Sequence, residues 1–170
     1  MWGVLGLVFG GILGGMVIAK FGIKRCLWPM VLALNVPNLL YVWAAANLPQ
    51  RVADAPQYTH QMVQWLIFVD QFGYGFGFSA YMVYLMFIAQ GTEFETSHYA
   101  IATGLMALGA MISGIVSGYA QGALASMFPS AGGYLPFFIA VCFCTIPGMI
   151  TLLFIPMDRA DIRKAPIELD

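Results

Sequence analysis

The sequence predicts an all-α polytopic transmembrane helix bundle, and three observations predict it. Of 170 residues, 61% are hydrophobic and only 9% are charged, against about 25% charged in an average soluble domain. The charges are also clustered, at Lys20, Lys24 and Arg25, at Arg51 and Asp54, at Glu93 and Glu95, and from Asp158 onward. Finally, the stretches between clusters are long enough to cross a hydrocarbon core, which takes about 20 helical residues. Whole windows such as Val31–Leu34 and Phe137–Phe143 are apolar, whereas strands of a membrane barrel would alternate polar and apolar residues. A nucleic-acid binder is excluded because seven basic residues face eight acidic ones, with no basic stripe to neutralise phosphates.

Taken in order, the spans are Trp2–Ala19, Cys26–Leu48, Val63–Gln90, Tyr99–Phe128 and Tyr134–Met157, one transmembrane unit over residues 1–157 followed by a tail over 158–170. Connections alternate sides of the bilayer. Lys20, Lys24, Arg25, Arg159, Arg163 and Lys164 therefore share one face and Arg51 alone lies on the other. The positive-inside rule makes the richer face cytoplasmic, with an external N-terminus and a cytoplasmic tail. Span one opens without basic residues or a small-residue cleavage site, unlike a signal peptide. An uncharged external start and an odd number of spans read as a piece of a larger membrane protein.

Span one carries Gly3, Gly6, Gly10, Gly11, Gly14 and Gly15, and span four carries Gly114, Gly118 and Gly122 beside Ser113 and Ser117. Small residues at this spacing let helix backbones approach closely. They serve either plain bundle packing or sliding contacts in a conformational cycle. Span two holds Asn35, Pro37, Asn38 and Tyr41, with proline expected to kink the helix. Thr145, Pro147 and Thr151, with Pro136 and Pro156, predict a bent span five. Tyr58, Trp65, Trp43, Tyr134 and Trp28 read as interfacial belt residues.

Span three holds the exception to the charge pattern. Asp70 lies roughly 10 Å below the membrane surface at 1.5 Å per residue, and a carboxylate at that depth is a functional-site candidate by default. At about 100° per residue, Asp70, Tyr74, Gly77, Tyr81 and Tyr84 share one narrow sector. This stripe is expected to line a water-accessible cavity; the alternative is that Asp70 bonds a polar partner on a neighbouring helix. Gly73, Gly75 and Gly77 weaken the helix and give it room to bend. Asn35, Asn38 and Tyr41 offer a second cavity wall.

Metal and nucleophile chemistry find little support. Cys142 and Cys144 point to nearly opposite helix faces, and His60 and His98 fall on opposite sides of the membrane, so no metal site and no cofactor are expected. Gly77-Phe78-Ser79-Ala80 resembles, distantly, the nucleophile segment of intramembrane serine proteases. No histidine or lysine lies at that depth to act as base, and an enzyme is not expected.

The stretch Gly15-Met-Val-Ile-Ala19-Lys20-Phe21-Gly22-Ile23-Lys24-Arg25 resembles the basic loop motif of the major facilitator superfamily. Gly15, Lys20, Gly22, Lys24 and Arg25 match, while Ala19 stands where the family has an acid, a role Glu93 or Glu95 is placed to take. Asp70-Gln-Phe-Gly-Tyr-Gly-Phe-Gly-Phe-Ser-Ala-Tyr81, with Thr96-Ser97-His98-Tyr99-Ala100 and Gly104-Leu-Met-Ala-Leu-Gly109, is similar to the AmpG-type muropeptide permeases and, more distantly, to acetyl-coenzyme A transporters. The resemblance implies the C-terminal part of a twelve-span fold, with these five spans the eighth to twelfth and the N-terminal half and the seventh span missing. It also implies a bacterial inner-membrane symporter importing anhydromuropeptides with protons by alternating access. On that reading Asp70 responds to protons or to a substrate cation, Tyr74, Tyr81 and Tyr84 meet sugar, and Asn38 adds a hydrogen bond. The partners are the bilayer, the missing half, a glycopeptide substrate and protons. A carrier of another solute (acyl-coenzyme A, sugar or drug) and a non-transporting assembly subunit stay open.

Overall fold

The computed structural model describes residues 1–48, 57–91, 93–129 and 133–154. Five helices run in chain order: α1 (Trp2–Phe21), α2 (Ile23–Asn47), α3 (Gln57–Ala89), α4 (Glu95–Met127) and α5 (Tyr134–Thr151), the last continuing as a 3-10 turn over Leu152–Phe154. All five are long and apolar enough to cross a membrane, and no strand occurs among the described residues. At 33 residues each, α3 and α4 are about 50 Å long, so they tilt or project beyond a core about 30 Å thick. The tail over 158–170, Arg51 and Asp54 lie outside the described residues.

The connection between the first two spans is shorter than the charge pattern predicts. Helix runs through Lys20 on one side and through Lys24 and Arg25 on the other, leaving only Gly22 between α1 and α2. Gly22 takes φ 77°, open to glycine because it has no Cβ to clash, and its N–H closes α1 on the Ile18 carbonyl at 2.8 Å. Proline does not break α2: the helix continues past both Pro29 and Pro37.

Packing centres on α3, whose widest contact is with α1 and second widest with α2. Its contact with α1 is a glycine seam. A Cβ on Gly6 would stand 2.5 Å from the Phe68 carbonyl oxygen, and one on Gly14 would stand 2.7 Å from that of Phe76; on Gly10 it would collide with the Phe72 carbonyl. The partners advance in step along both chains, so α1 and α3 are parallel. Ser79 stitches the seam, its hydroxyl lying 3.0 Å from both the Gly11 and the Gly75 carbonyl oxygens. On the opposite face of α3, Gly73 sits against the Ala33 carbonyl and Gly77 against Met30 and Leu34. Here the partners run in opposite directions, as antiparallel helices require. Pro37 has no N–H to give Ala33, so Gly73 covers an oxygen that α2 leaves unbonded. Gly73, Gly75 and Gly77 thus act as sites of close backbone approach, where the sequence predicted a point of bending.

The small-residue ridge of α4 behaves differently. Nothing comes within 4 Å of a Cβ built on Gly114, Gly118 or Gly122, and neither α4 nor α5 has a buried residue. The buried core is small, formed by Ile18, Ile23, Cys26, Leu27, Met30 and Ala80 at the α1–α2 turn. Large apolar side chains such as Leu105, Tyr119 and Phe143 stand exposed, inverting the soluble-protein pattern as expected where lipid is the solvent.

Gly10→Val is expected to destabilise the chain by about 1–3 kcal/mol, the usual cost of overpacking a tight contact. Gly118→Val is expected to stay within about 0.5 kcal/mol, as for a substitution that touches nothing. Unfolding of the purified chain in mixed micelles against rising denaturing detergent measures both.

Candidate functional site

Asp70 sits half-buried on α3 at the edge of the Gly73–Gly77 contact with α2. Two turns past the covered Ala33 carbonyl, α2 presents Tyr41, whose hydroxyl lies close to the Asp70 carboxylate. The Tyr41 ring in turn stacks on Phe138 of α5, with centroids 5.2 Å apart and planes at 14°. Three helices therefore meet beside one half-buried acid. A carboxylate in hydrocarbon needs such a donor, because an unmet charge or lone pair there is costly.

The rest of the predicted stripe divides at Asp70. Going round the helix at about 100° per residue, Tyr84, Gly77 and Gly73 lie to one side and Tyr81 and Tyr74 to the other. The first side is closed: Gly77 meets Leu34 and Tyr84 packs against the buried core. The second side is open, with Tyr74 48% and Tyr81 40% exposed. Phe78 bridges these two, stacking on Tyr74 at 5.5 Å and tilting against Tyr81 at 6.3 Å. The stripe is thus a seam between a packed face and an accessible one, with the acid on the line between them.

In the second wall, Tyr41 alone is brought to Asp70. Asn35 turns back onto its own helix, donating to the Val31 carbonyl at 2.7 Å, and Asn38 is half-buried. The α5 contribution, Phe138, escaped the sequence reading because one aromatic among several in an apolar run carries no signal of its own. Ser79, the protease-like serine, is engaged with two carbonyls between α1 and α3. Among the described residues no group of His, Cys, Asp and Glu is placed to hold a metal.

The loop-motif residues lie at the far end of the α1–α3 seam. Gly15 is exposed with nothing near it, and Lys20, Lys24 and Arg25 are exposed around Gly22. The proposed acidic substitute is not realised. The Glu95 carboxylate instead accepts the Gly91 N–H at 2.7 Å, closing its own turn, and Glu93 is exposed. The reason is local: a carboxylate at the start of α4 is within easy reach of the backbone donor that the left-handed Gly91 exposes.

These features define a multi-pass membrane protein with a half-buried acid on a seam between helices. Over 157 residues the chain is 30% identical to an uncharacterized protein of Haemophilus influenzae, covering 92% of this chain and 34% of that protein. It is also similar to proteins named "Putative transporter AmpG 1": that of Rickettsia felis at 23% identity over 89% of this chain, and that of Rickettsia bellii at 24% over 89%. The chain spans about a third of the length of each of these relatives. No family model matches it, and no solved structure does.

A double-mutant cycle of Tyr41→Phe and Asp70→Asn is expected to return a coupling of about 0.5–2 kcal/mol, the range for hydrogen bonds between membrane helices. Detergent unfolding of the four proteins reads it, and additive effects would mean that the two side chains do not interact.

Proposed function

We propose that the chain is the C-terminal part of a proton-coupled secondary transporter that imports anhydromuropeptides across the bacterial inner membrane by alternating access. The observation that carries this reading is the Asp70–Tyr41 pair, set on the boundary between a packed and an open helix face in a segment similar to AmpG-named transporters. Transporter sites lie near the midplane between two halves that rock against each other. A carboxylate on such a seam can exchange a proton when the open side is wetted and be shielded when it is closed. Tyr74, Phe78 and Tyr81 offer ring faces and hydroxyls on the accessible side, suited to the sugar of a glycopeptide, and Asn38 adds a hydrogen-bonding group from α2. The remainder of the transporter covers the exposed faces of α4 and α5. The N-terminus is external and the tail cytoplasmic. The protein moves its substrate without altering it and is not an enzyme.

A second reading is a membrane assembly subunit, favoured by the α4 glycine ridge, which meets nothing within the chain. A carrier of acyl-coenzyme A, sugar or drug would use the same seam with a different solute.

In the full-length transporter carrying this segment, Asp70→Asn is expected to reduce proton-driven accumulation of labelled anhydromuropeptide in membrane vesicles to background, with insertion unchanged. Normal accumulation by that variant would remove Asp70 from the mechanism. Accumulation of labelled acyl-coenzyme A or sugar in place of anhydromuropeptide would reassign the substrate.

A further inference from the structure

The α1–α2 turn concentrates positive charge that the described residues do not balance. Lys20 ends α1, and Lys24 and Arg25 occupy the first turn of α2. No acid lies in that turn, although the positive end of a helix disfavours cations. Glu95 is engaged with Gly91. Among the described residues the three cations form no ion pair; the contact of Lys20 is with the Phe21 ring, its Nζ lying 5.5 Å from the centroid. Because this turn joins two apolar helices, it lies at a membrane surface, at the depth of lipid headgroups.

Beside the cations is a cleft of about 240 Å³, lined by Val17, Phe21, Cys26, Pro29 and Phe76, with Arg25 on its rim. Its walls are almost wholly apolar. The ligand it fits therefore has two parts: an anionic group for the cations and a hydrocarbon portion for the cleft. Phe21 and Trp28 are 53% and 42% exposed at the same level, the position aromatic side chains take at the boundary between headgroups and acyl chains.

We propose that the Lys20–Arg25 turn and its cleft bind one anionic phospholipid, the phosphate held among Lys20, Lys24 and Arg25 and an acyl chain entering between Val17 and Phe76. The bound lipid supplies the counter-charge that the turn lacks and closes the gap at the α1–α2–α3 junction. Basic pockets between membrane helices bind such headgroups by the same chemistry. The site is independent of Asp70 and of what the protein transports.

The test is native mass spectrometry of the purified chain released from nanodiscs of phosphatidylcholine doped with phosphatidylglycerol. The chain is expected to retain phosphatidylglycerol in preference to phosphatidylcholine. Each of Lys20→Gln, Lys24→Gln and Arg25→Gln is expected to weaken that preference roughly fivefold, the effect of one cation at a membrane surface. These side chains are exposed, so the variants fold, and circular dichroism in the nanodisc checks it. Three results would overturn the proposal. One is an equal loss on neutralising Arg159, Arg163 and Lys164, which would make the attraction a diffuse surface effect. Another is no preference in the intact chain, and the last is a preference seen only after deletion of residues 158–170, which would assign the turn to the acidic groups of the tail.

Discussion

A backbone carbonyl can press against a neighbouring helix only where that neighbour has no Cβ, and the arrangement of α1, α2 and α3 depends on this. Gly6, Gly10 and Gly14 of α1 each meet a carbonyl of α3, Gly75 of α3 meets that of Leu7, and Gly73 and Gly77 meet those of Ala33 and Met30 in α2. In every case the hydrogen standing where Cβ would be faces the oxygen. Such contacts are worth about 0.5–1 kcal/mol each, and in lipid, where no hydrophobic effect drives helices together, they are a main source of cohesion. Because they occur in series at helical spacing, a slip of the register would break all of them together. The α3 helix is held from two opposite sides.

The functional geometry inherits that register. With Gly73 and Gly77 seated on α2, the sector between them and Tyr81 can point only along the edge of the contact, which is where Asp70 lies. Tyr41 then has one acid within reach, and Phe138 fixes the ring from α5. Pro37 contributes by subtraction: without its N–H, the Ala33 carbonyl is free to meet Gly73. The acid therefore lies beside Tyr41 on its packed side and next to exposed Tyr74 and Tyr81 on its open side, the asymmetry on which the proposed function rests.

Much of this was legible in the chain. The charge clusters marked five spans, and the depth of Asp70 marked it as a residue needing a partner. The glycine pattern of span one announced close packing. Span four, however, carries the same pattern at Gly114, Gly118 and Gly122, and none of the described residues comes close to that ridge. Spacing shows that a helix can be approached closely, but it does not reveal whether anything approaches. Gly73, Gly75 and Gly77 were read as weakness because local propensity sees only lost helix stability, while their use against carbonyls depends on two other helices. The Asp70–Tyr41 pairing was likewise hidden, since it joins residues far apart in sequence whose faces become neighbours only when the register is set. Glu93 or Glu95 was offered to the basic loop by topology, and Glu95 accepts from a nearer backbone donor at Gly91.

The register of α1 against α3 is the claim on which the rest stands, and the Gly11–Ser79 pair reports it directly. A Cβ at Gly11 would lie 4.0 Å from the Ser79 Oγ, near enough for a small adjustment to bring two cysteine Cβ atoms to the roughly 3.5–4.5 Å a disulfide needs. In a chain whose Cys26, Cys142 and Cys144 are replaced by alanine, Gly11→Cys with Ser79→Cys should oxidise rapidly in the membrane to one intramolecular disulfide. A pair that stays reduced while Gly15→Cys with Ser79→Cys oxidises would place α1 a full turn away, contradicting the seam and the position of Asp70 that follows from it.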